Sequence, residues 1–284
     1  MQYYLAVNVA RFFSYMPLPV LHFFSDITAW ILQYVVGYRQ NVIRENLAKA
    51  FPEKDASSLK QIEKEFYRNF SDIVVESIKS LSISEKELRQ RLTLRNPEVF
   101  EKLYAQGKGV IMVIGHYTNF EWMAMGIPLL VPQPCFAVYQ RLKDPRYSNL
   151  AVRIREQFGL KLFQMKDTYP FMINNPQPAP LYVFMADQSP HKGKIKFRTS
   201  FMGRDTPVHL GVENLAQKCN LAVVFIEMER VKRGYYEVEA QLLYQDVHKA
   251  EPHQVTREHV KALEKVIYKK PGDWLWSHKR WKHA

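Results

Sequence analysis

Four short apolar runs constrain the fold of this chain most strongly. They are residues 109–115 (GVIMVIG), 135–139 (CFAVY), 181–187 (LYVFMAD) and 221–228 (LAVVFIEM). Each is short for a helix and carries apolar side chains at consecutive positions, the pattern of a strand covered on both faces. Residues 235–243 (YYEVEAQLL) alternate instead, as a strand with one wet face does. Helical spacing fills the gaps, at 121–130, 144–158, 207–219 and 254–268. Strands alternating with helices predict an α/β domain whose central sheet is mostly parallel or mixed and is flanked by helices. The first hundred residues read as helical and pack against it. NVIRENLAKAF (41–51) is a short amphipathic helix stopped by Pro52, and Ala56 to Leu81 is a long one. Ser84 caps another, and Pro97 starts one that ends near Gly107. No internal repeat or low-complexity linker interrupts the 284 residues, a length for one large domain or two small ones.

The N-terminal segment is of a different kind. Between Arg11 and Arg39 the only formal charge is Asp26, and the stretch is long enough to span a bilayer. Pro17 and Pro19 interrupt it, and His22 lies inside it beside Asp26. It lacks the basic start and small-residue cleavage site of a secretory signal. Three readings stand: a single membrane anchor, a pair of interfacial helices broken near the prolines, or a buried core helix. The first two divide the chain into residues 1–40, membrane-associated, and residues 41–284, the main domain. Trp30, Tyr34 and Tyr38 suit an interface, and Arg39, Arg44, Lys49 and Lys54 then put the rest of the chain on the cytoplasmic side.

Composition excludes several classes. A mean hydropathy of −0.30 excludes a polytopic membrane protein. Hydrophobic residues at 47% exclude disorder as the main state. Cys135 and Cys219 are too few and too far apart for a disulfide framework or a structural zinc site. The net charge of +12 calls for an anionic partner: nucleic acid, anionic lipid or a phosphorylated substrate. No nucleic-acid-binding module accompanies it.

In open α/β sheets, ligands bind beyond the carboxyl ends of the strands. The residues there are His116-Tyr117-Thr118-Asn119-Phe120-Glu121-Trp122 after the first run, Gln140, Arg141 and Lys143 after the second, and Asp187, Gln188, Ser189 and Pro190 after the third. His116 and Glu121 are five positions apart and do not share a helix face. With His116 in a loop and Glu121 in the first helical turn they can meet. The carboxylate then orients the imidazole as a base for an alcohol. The alternative is architectural: Thr118-x-x-Glu121 has the form of a capping box, and His116 then satisfies only loop backbone. Two basic groups stand out. One holds Arg141, Lys143, Arg146, Arg153 and Arg155; the other is 191–198 (HKGKIKFR), with Lys194 at its centre. Each could hold phosphates or an acidic carrier protein, or be a solvated face. Arg141 follows a strand and Arg153 is expected against an apolar helix stripe.

Taken together, these blocks resemble the late acyltransferases of lipid A biosynthesis, a branch of the lysophospholipid acyltransferase superfamily. The blocks run in order along nearly the whole chain: NVIRENLAKAFPE, GHYTNFEW, ADQSP, FMGRDTPVHLGVENLA and WLWSHKRWK. The resemblance implies transfer of a fatty acyl chain from acyl carrier protein to a hydroxyl of a lipid A precursor, on the cytoplasmic face of the inner membrane. His116 becomes the general base and Glu121 its orienting partner. Arg141, Arg153 and Arg155 bind phosphate or the oxyanion, Asp187 and Gln188 shape the site, and Lys194, Phe201 and Gly203 complete the substrate-binding set. The basic surface would meet the carrier and an anionic membrane surface. The thioester is already activated, so no metal or other cofactor is implied; coenzyme A is the alternative carrier. One departure stands out. The superfamily motif is Asn-His-xxxx-Asp, whereas this chain has Gly115 before His116 and Glu121 at the end. That suits the lipid A branch and leaves open another glycolipid, a phospholipid or an aminolipid as acceptor, or a non-catalytic lipid-surface protein of the same fold.

Overall fold

The computed structural model describes residues 2–283. Strands β1 (Leu92–Leu94), β2 (Val110–Ile114), β3 (Cys135–Tyr139), β4 (Lys161–Gln164), β5 (Leu181–Met185), β6 (Phe197–Phe201), β7 (Arg204–Val208), β8 (Ala222–Lys232) and β9 (Tyr235–Tyr244) form two sheets. The main sheet has the order β1-β9-β8-β2-β5-β3-β4. Its pairs are parallel except β8 with β9, the hairpin at one side. β6 and β7 form a separate antiparallel hairpin. The helices are α1 (Gln2–Ser14), α2 (Leu18–Trp30), α3 (Gln40–Ala50), α4 (Ala56–Lys79), α5 (Glu85–Arg91), α6 (Glu98–Ala105), α7 (Phe120–Gly126), α8 (Pro145–Glu156), α9 (Thr168–Asn174), α10 (Gly211–Lys218) and α11 (Gln254–Lys269). One apolar cluster covers each face of the main sheet. β2 is buried at every position, and its odd-numbered residues Ile111 and Val113 enter one cluster while Val110, Met112 and Ile114 enter the other.

The predicted mixed α/β sheet is therefore present, and each of the five sequence runs falls on a strand. The sequence reading missed β1, β4, α9 and the β6–β7 hairpin. β1 and β4 have three and four residues, too few for a pattern. The hairpin follows a basic run, and its turn at Met202 and Gly203 takes positive φ at both residues, as a tight hairpin turn requires. Gly203 thus has a structural reason in the turn.

Of the helix starts, the one at Ser84 is as read. Asp55 caps α4 and Ser84 caps α5 through their side chains. The capping box at Thr118 does not form. Thr118 sits at φ 48°, its hydroxyl bonds the Tyr117 carbonyl, and Asn119 caps α7 by accepting from Trp122 N–H.

The N-terminal segment breaks at the prolines. α1 stops before Pro17, and α2 starts at Leu18. A π-helical turn, Ile31–Val35, continues α2 toward Gly37. Among the described residues no single helix is long and apolar enough to cross a membrane. Leu18–Val35 with Gln40–Ala50 passes that test only as a pair bent by 89°. The inner face of α2 buries Leu18, Leu21, His22 and Ser25, while Val20, Phe23, Phe24, Ile27 and Trp30 are exposed on the other side. The polar groups of this helix pair with the rest of the chain. His22 meets Glu76, the Ser25 hydroxyl donates to Asp72, and Asp26 accepts from Arg233.

Candidate active site

His116 leaves the carboxyl end of β2, and Asp187 leaves that of β5. The two strands are parallel neighbours with Ile114 level with Met185. The second residue past each end therefore lands beside the other. Asp187 Oδ1 lies 2.7 Å from His116 Nδ1, and Oδ2 accepts from His116 N–H at 2.8 Å. The Trp274 indole N–H donates to the same Oδ2 at 2.9 Å. Asp187 is 5% exposed, so these groups stand where water otherwise would. Burial works against ionising Asp187, but the His116 ring and these N–H groups hold its carboxyl well below the usual carboxylate range. Burial likewise opposes the imidazolium of His116, yet Asp187 raises its pKa above the ordinary histidine value.

The hydrogen-bond pattern assigns the tautomer: Nδ1–H faces Asp187 and Nε2 is left as the acceptor. The Gln188 amide nitrogen stands 3.4 Å from that Nε2. Beside it lies a closed apolar seam without room for a water molecule, lined by Phe66, Phe70 and Ile73 of α4, with Phe120, Trp274 and Leu275. A far wider polar cleft, about 1190 Å³ around Lys108, Lys218 and Tyr244, lies at the opposite ends of β2 and β8, away from His116.

Glu121 is placed differently from the expectation. It does not hydrogen-bond the His116 ring. Its carboxylate accepts two bonds from Arg155 on α8, Nε to Oε2 at 2.9 Å and an Nη to Oε1 at 2.7 Å. The carboxylate that orients His116 is Asp187. The reason is topological. α7 carries Glu121 away toward the β3–β4 crossover, where α8 lies, while the β2–β5 pairing delivers Asp187 to the ring. Glu121 still lies near enough for its charge to help raise the pKa of His116.

Gly115 explains the departure at that position. A Cβ there would stand 2.6 Å from Leu263 Cδ1 and 3.5 Å from Asp187 Oδ2. The missing side chain leaves room for Leu263 of α11 against the start of the His116 loop. The His116 loop is pinned from the C-terminal block as well. Thr118 N–H donates to the Asp273 carbonyl, Leu275 N–H to the His116 carbonyl, and the Tyr117 hydroxyl to Val266 and Lys270 carbonyls.

The remaining expected residues divide. Arg155 joins the site through Glu121. Arg141, Arg153 and Lys194 are exposed, and their side chains make no hydrogen bond or ion pair among the described residues. The expectation that Arg153 lies on an apolar stripe is corrected by its exposure. Phe201 is 1% exposed, packed between Trp274, Trp281 and the Arg280 guanidinium. It stands in the wall beside Asp187 and Arg280.

Sequence reasoning missed two residues of the last block, His278 and Arg280. His278 Nε2 accepts from Ser189 N–H at 3.2 Å and so holds the turn after Asp187. Burial pushes its pKa down to about 4, which keeps it a neutral acceptor. Arg280 is buried near Asp187 and donates to the Pro207 carbonyl. Burial pushes it down to about 10. The signal was WLWSHKRWK itself, but nothing in the sequence says that the chain end returns to the third strand exit. Among the described residues no cluster of metal-binding side chains occurs.

The profile of the family described as bacterial lipid A biosynthesis acyltransferase matches residues 1–283. No curated protein sequence matches the chain with significance.

Proposed function

The chain belongs to the bacterial lipid A biosynthesis acyltransferase family, and from that membership we propose that it moves a fatty acyl chain from acyl carrier protein to a hydroxyl of a lipid A precursor at the cytoplasmic face of the inner membrane. The observation that carries the chemical part is the His116–Asp187 pair at adjacent strand exits.

His116 Nε2 takes the proton of the acceptor hydroxyl as its oxygen attacks the thioester carbonyl carbon. Asp187 holds the ring and balances the imidazolium. A C–O bond forms and the carbonyl oxygen becomes an oxyanion. The oxyanion collapses, the C–S bond breaks, and the leaving thiolate takes the proton from Nε2. The products are the ester and the free thiol of the carrier. Glu121, clamped by Arg155, adds negative charge near the imidazolium. Gln188 faces the same nitrogen and orders the reacting groups.

Arg141, Arg153 and Lys194 are exposed cations and suit phosphate groups of the acceptor or the acidic carrier. The exposed apolar face of α2, with Val20, Phe23, Phe24, Ile27 and Trp30, supports a membrane-associated segment 1–40 preceding the catalytic domain 41–284. Such a face matches a helix lying against lipid. The test is acyl transfer by the purified chain, with acyl–carrier-protein and acyl–coenzyme A thioesters offered in parallel to an under-acylated lipid A precursor. Transfer from the carrier-protein thioester alone supports the reading. Transfer to another lipid class overturns the acceptor.

A further inference from the structure

Glu76 stands at a junction that the reaction scheme does not use. It lies on α4, is wholly buried, and its carboxylate meets three other parts of the chain. Oε1 is 3.0 Å from His22 Nε2 on α2. Oε2 accepts from Asn119 Nδ2 at 2.5 Å and from the Tyr236 hydroxyl on β9 at 2.6 Å. The Trp122 indole N–H donates to the Glu76 carbonyl at 3.0 Å.

Asn119 connects this junction to the active site. Its Oδ1 accepts from Trp122 N–H at 2.9 Å and caps α7, while its Nδ2 is spent on Glu76. The amide satisfies both partners in one orientation only. Asn119 is also bracketed by the two site residues, three after His116 and two before Glu121, next to the left-handed Thr118. Where α7 begins is thus fixed by Glu76, and Glu76 is fixed by α2 and β9.

We propose that Glu76 is a positioning residue for the His116–Glu121 loop, and that through His22 the N-terminal helix belongs to the scaffold of the active site rather than serving only as an anchor. It acts through Asn119, setting the first turn of α7 so that Glu121 stays against Arg155 beside His116. The inference rests on His116 being the base.

The pairing is tested by a swap. Asn119→Asp keeps an acceptor as good as asparagine for capping but sets a second carboxylate against Glu76. The full-length protein in detergent is assayed with dodecanoyl carrier-protein thioester and an under-acylated lipid A precursor. Asn119→Asp is expected to lower kcat by about 10²-fold with KM little changed, the cost of a misplaced catalytic group. Adding Glu76→Gln places an amide donor against the new carboxylate, and the double variant recovers to within about tenfold of wild type. Wild-type kcat in Asn119→Asp overturns the proposal. So does a double variant with the wild-type thermal midpoint that is no faster than the single, or one that does not fold. If Asn119→Asp alone fails to fold, the double variant decides: folded and active supports the pairing, folded and inactive overturns it. His116→Ala runs alongside. If it turns over like wild type, the base assignment fails; if it is inactive while Asn119→Asp is normal, only the role of Glu76 fails.

Discussion

His116 Nδ1 and Asp187 Oδ1 are 2.7 Å apart across 71 residues of chain. Their meeting follows from strand order. β2 and β5 are not consecutive in sequence, yet they are hydrogen-bonded neighbours in register. Each residue sits two positions past its strand end, so the same parallel geometry that builds the sheet builds the pair.

Asp187→Asn should lower kcat/KM by about 10²–10⁴-fold, the usual range for disabling a positioned base. In wild type the rate rises with pH as His116 loses its proton, with a midpoint above the ordinary histidine value of about 6.5 because Asp187 raises it. In Asp187→Asn that midpoint moves down. The pair also stabilises the fold over a defined window. His116 titrates higher folded than unfolded, so its contribution is present below about 6.5 and is lost as pH rises through the folded value. Asp187 titrates lower folded than unfolded, so its contribution is present above about 4 and is lost on acidification. Urea unfolding of wild type and Asp187→Asn should therefore differ most between those limits. An equal difference at high pH would contradict the linkage.

Glu121 and Arg155 should behave as one unit. Each loses the same two hydrogen bonds when the other is replaced. Glu121→Gln and Arg155→Gln are expected to lower kcat/KM in the same direction, and the double variant to be no worse than the worse single one. Additive losses would show that the two side chains act separately.

Gly115→Ala should lower stability by about 1–3 kcal/mol, because the new methyl overlaps Leu263 in a closed core. Most of that loss should disappear in a Leu263→Ala background when both are measured by urea unfolding against Leu263→Ala alone. A full penalty in that background would move the strain elsewhere, to the Asp187 side of the glycine.

The outer face of the second helix should carry lipid binding without carrying the fold. Phe23→Ser, Ile27→Ser and Val35→Ser remove exposed apolar groups. The combined variant is expected to keep its thermal midpoint and to lose cosedimentation with phosphatidylglycerol-rich vesicles. Unchanged cosedimentation would contradict membrane contact through this face.

How far the sequence reaches is visible in particular residues. The buried runs are legible because a strand covered on both faces has no other economical composition. Asp187 is legible as a strand-exit residue but not as the partner of His116, since its place depends on β5 lying beside β2. Glu121 misleads for the same reason: proximity in sequence suggests pairing, and the first turn of α7 carries the carboxylate to Arg155 instead. His22 and Asp26 read as defects in an apolar stretch because the sequence does not say which face of that helix is inside. Asn119 is hidden by Thr118, which completes a capping motif on paper but adopts a left-handed conformation.

The central claim is that His116, oriented by Asp187, is the base of an acyl transfer to a lipid A hydroxyl. The most direct test is mass spectrometry of the lipid product after incubating the purified chain, or its His116→Ala variant, with acyl–carrier-protein thioester and an under-acylated lipid A precursor. The account predicts a precursor heavier by one acyl group with wild type and none above background with His116→Ala. Equal acylation by both would contradict it.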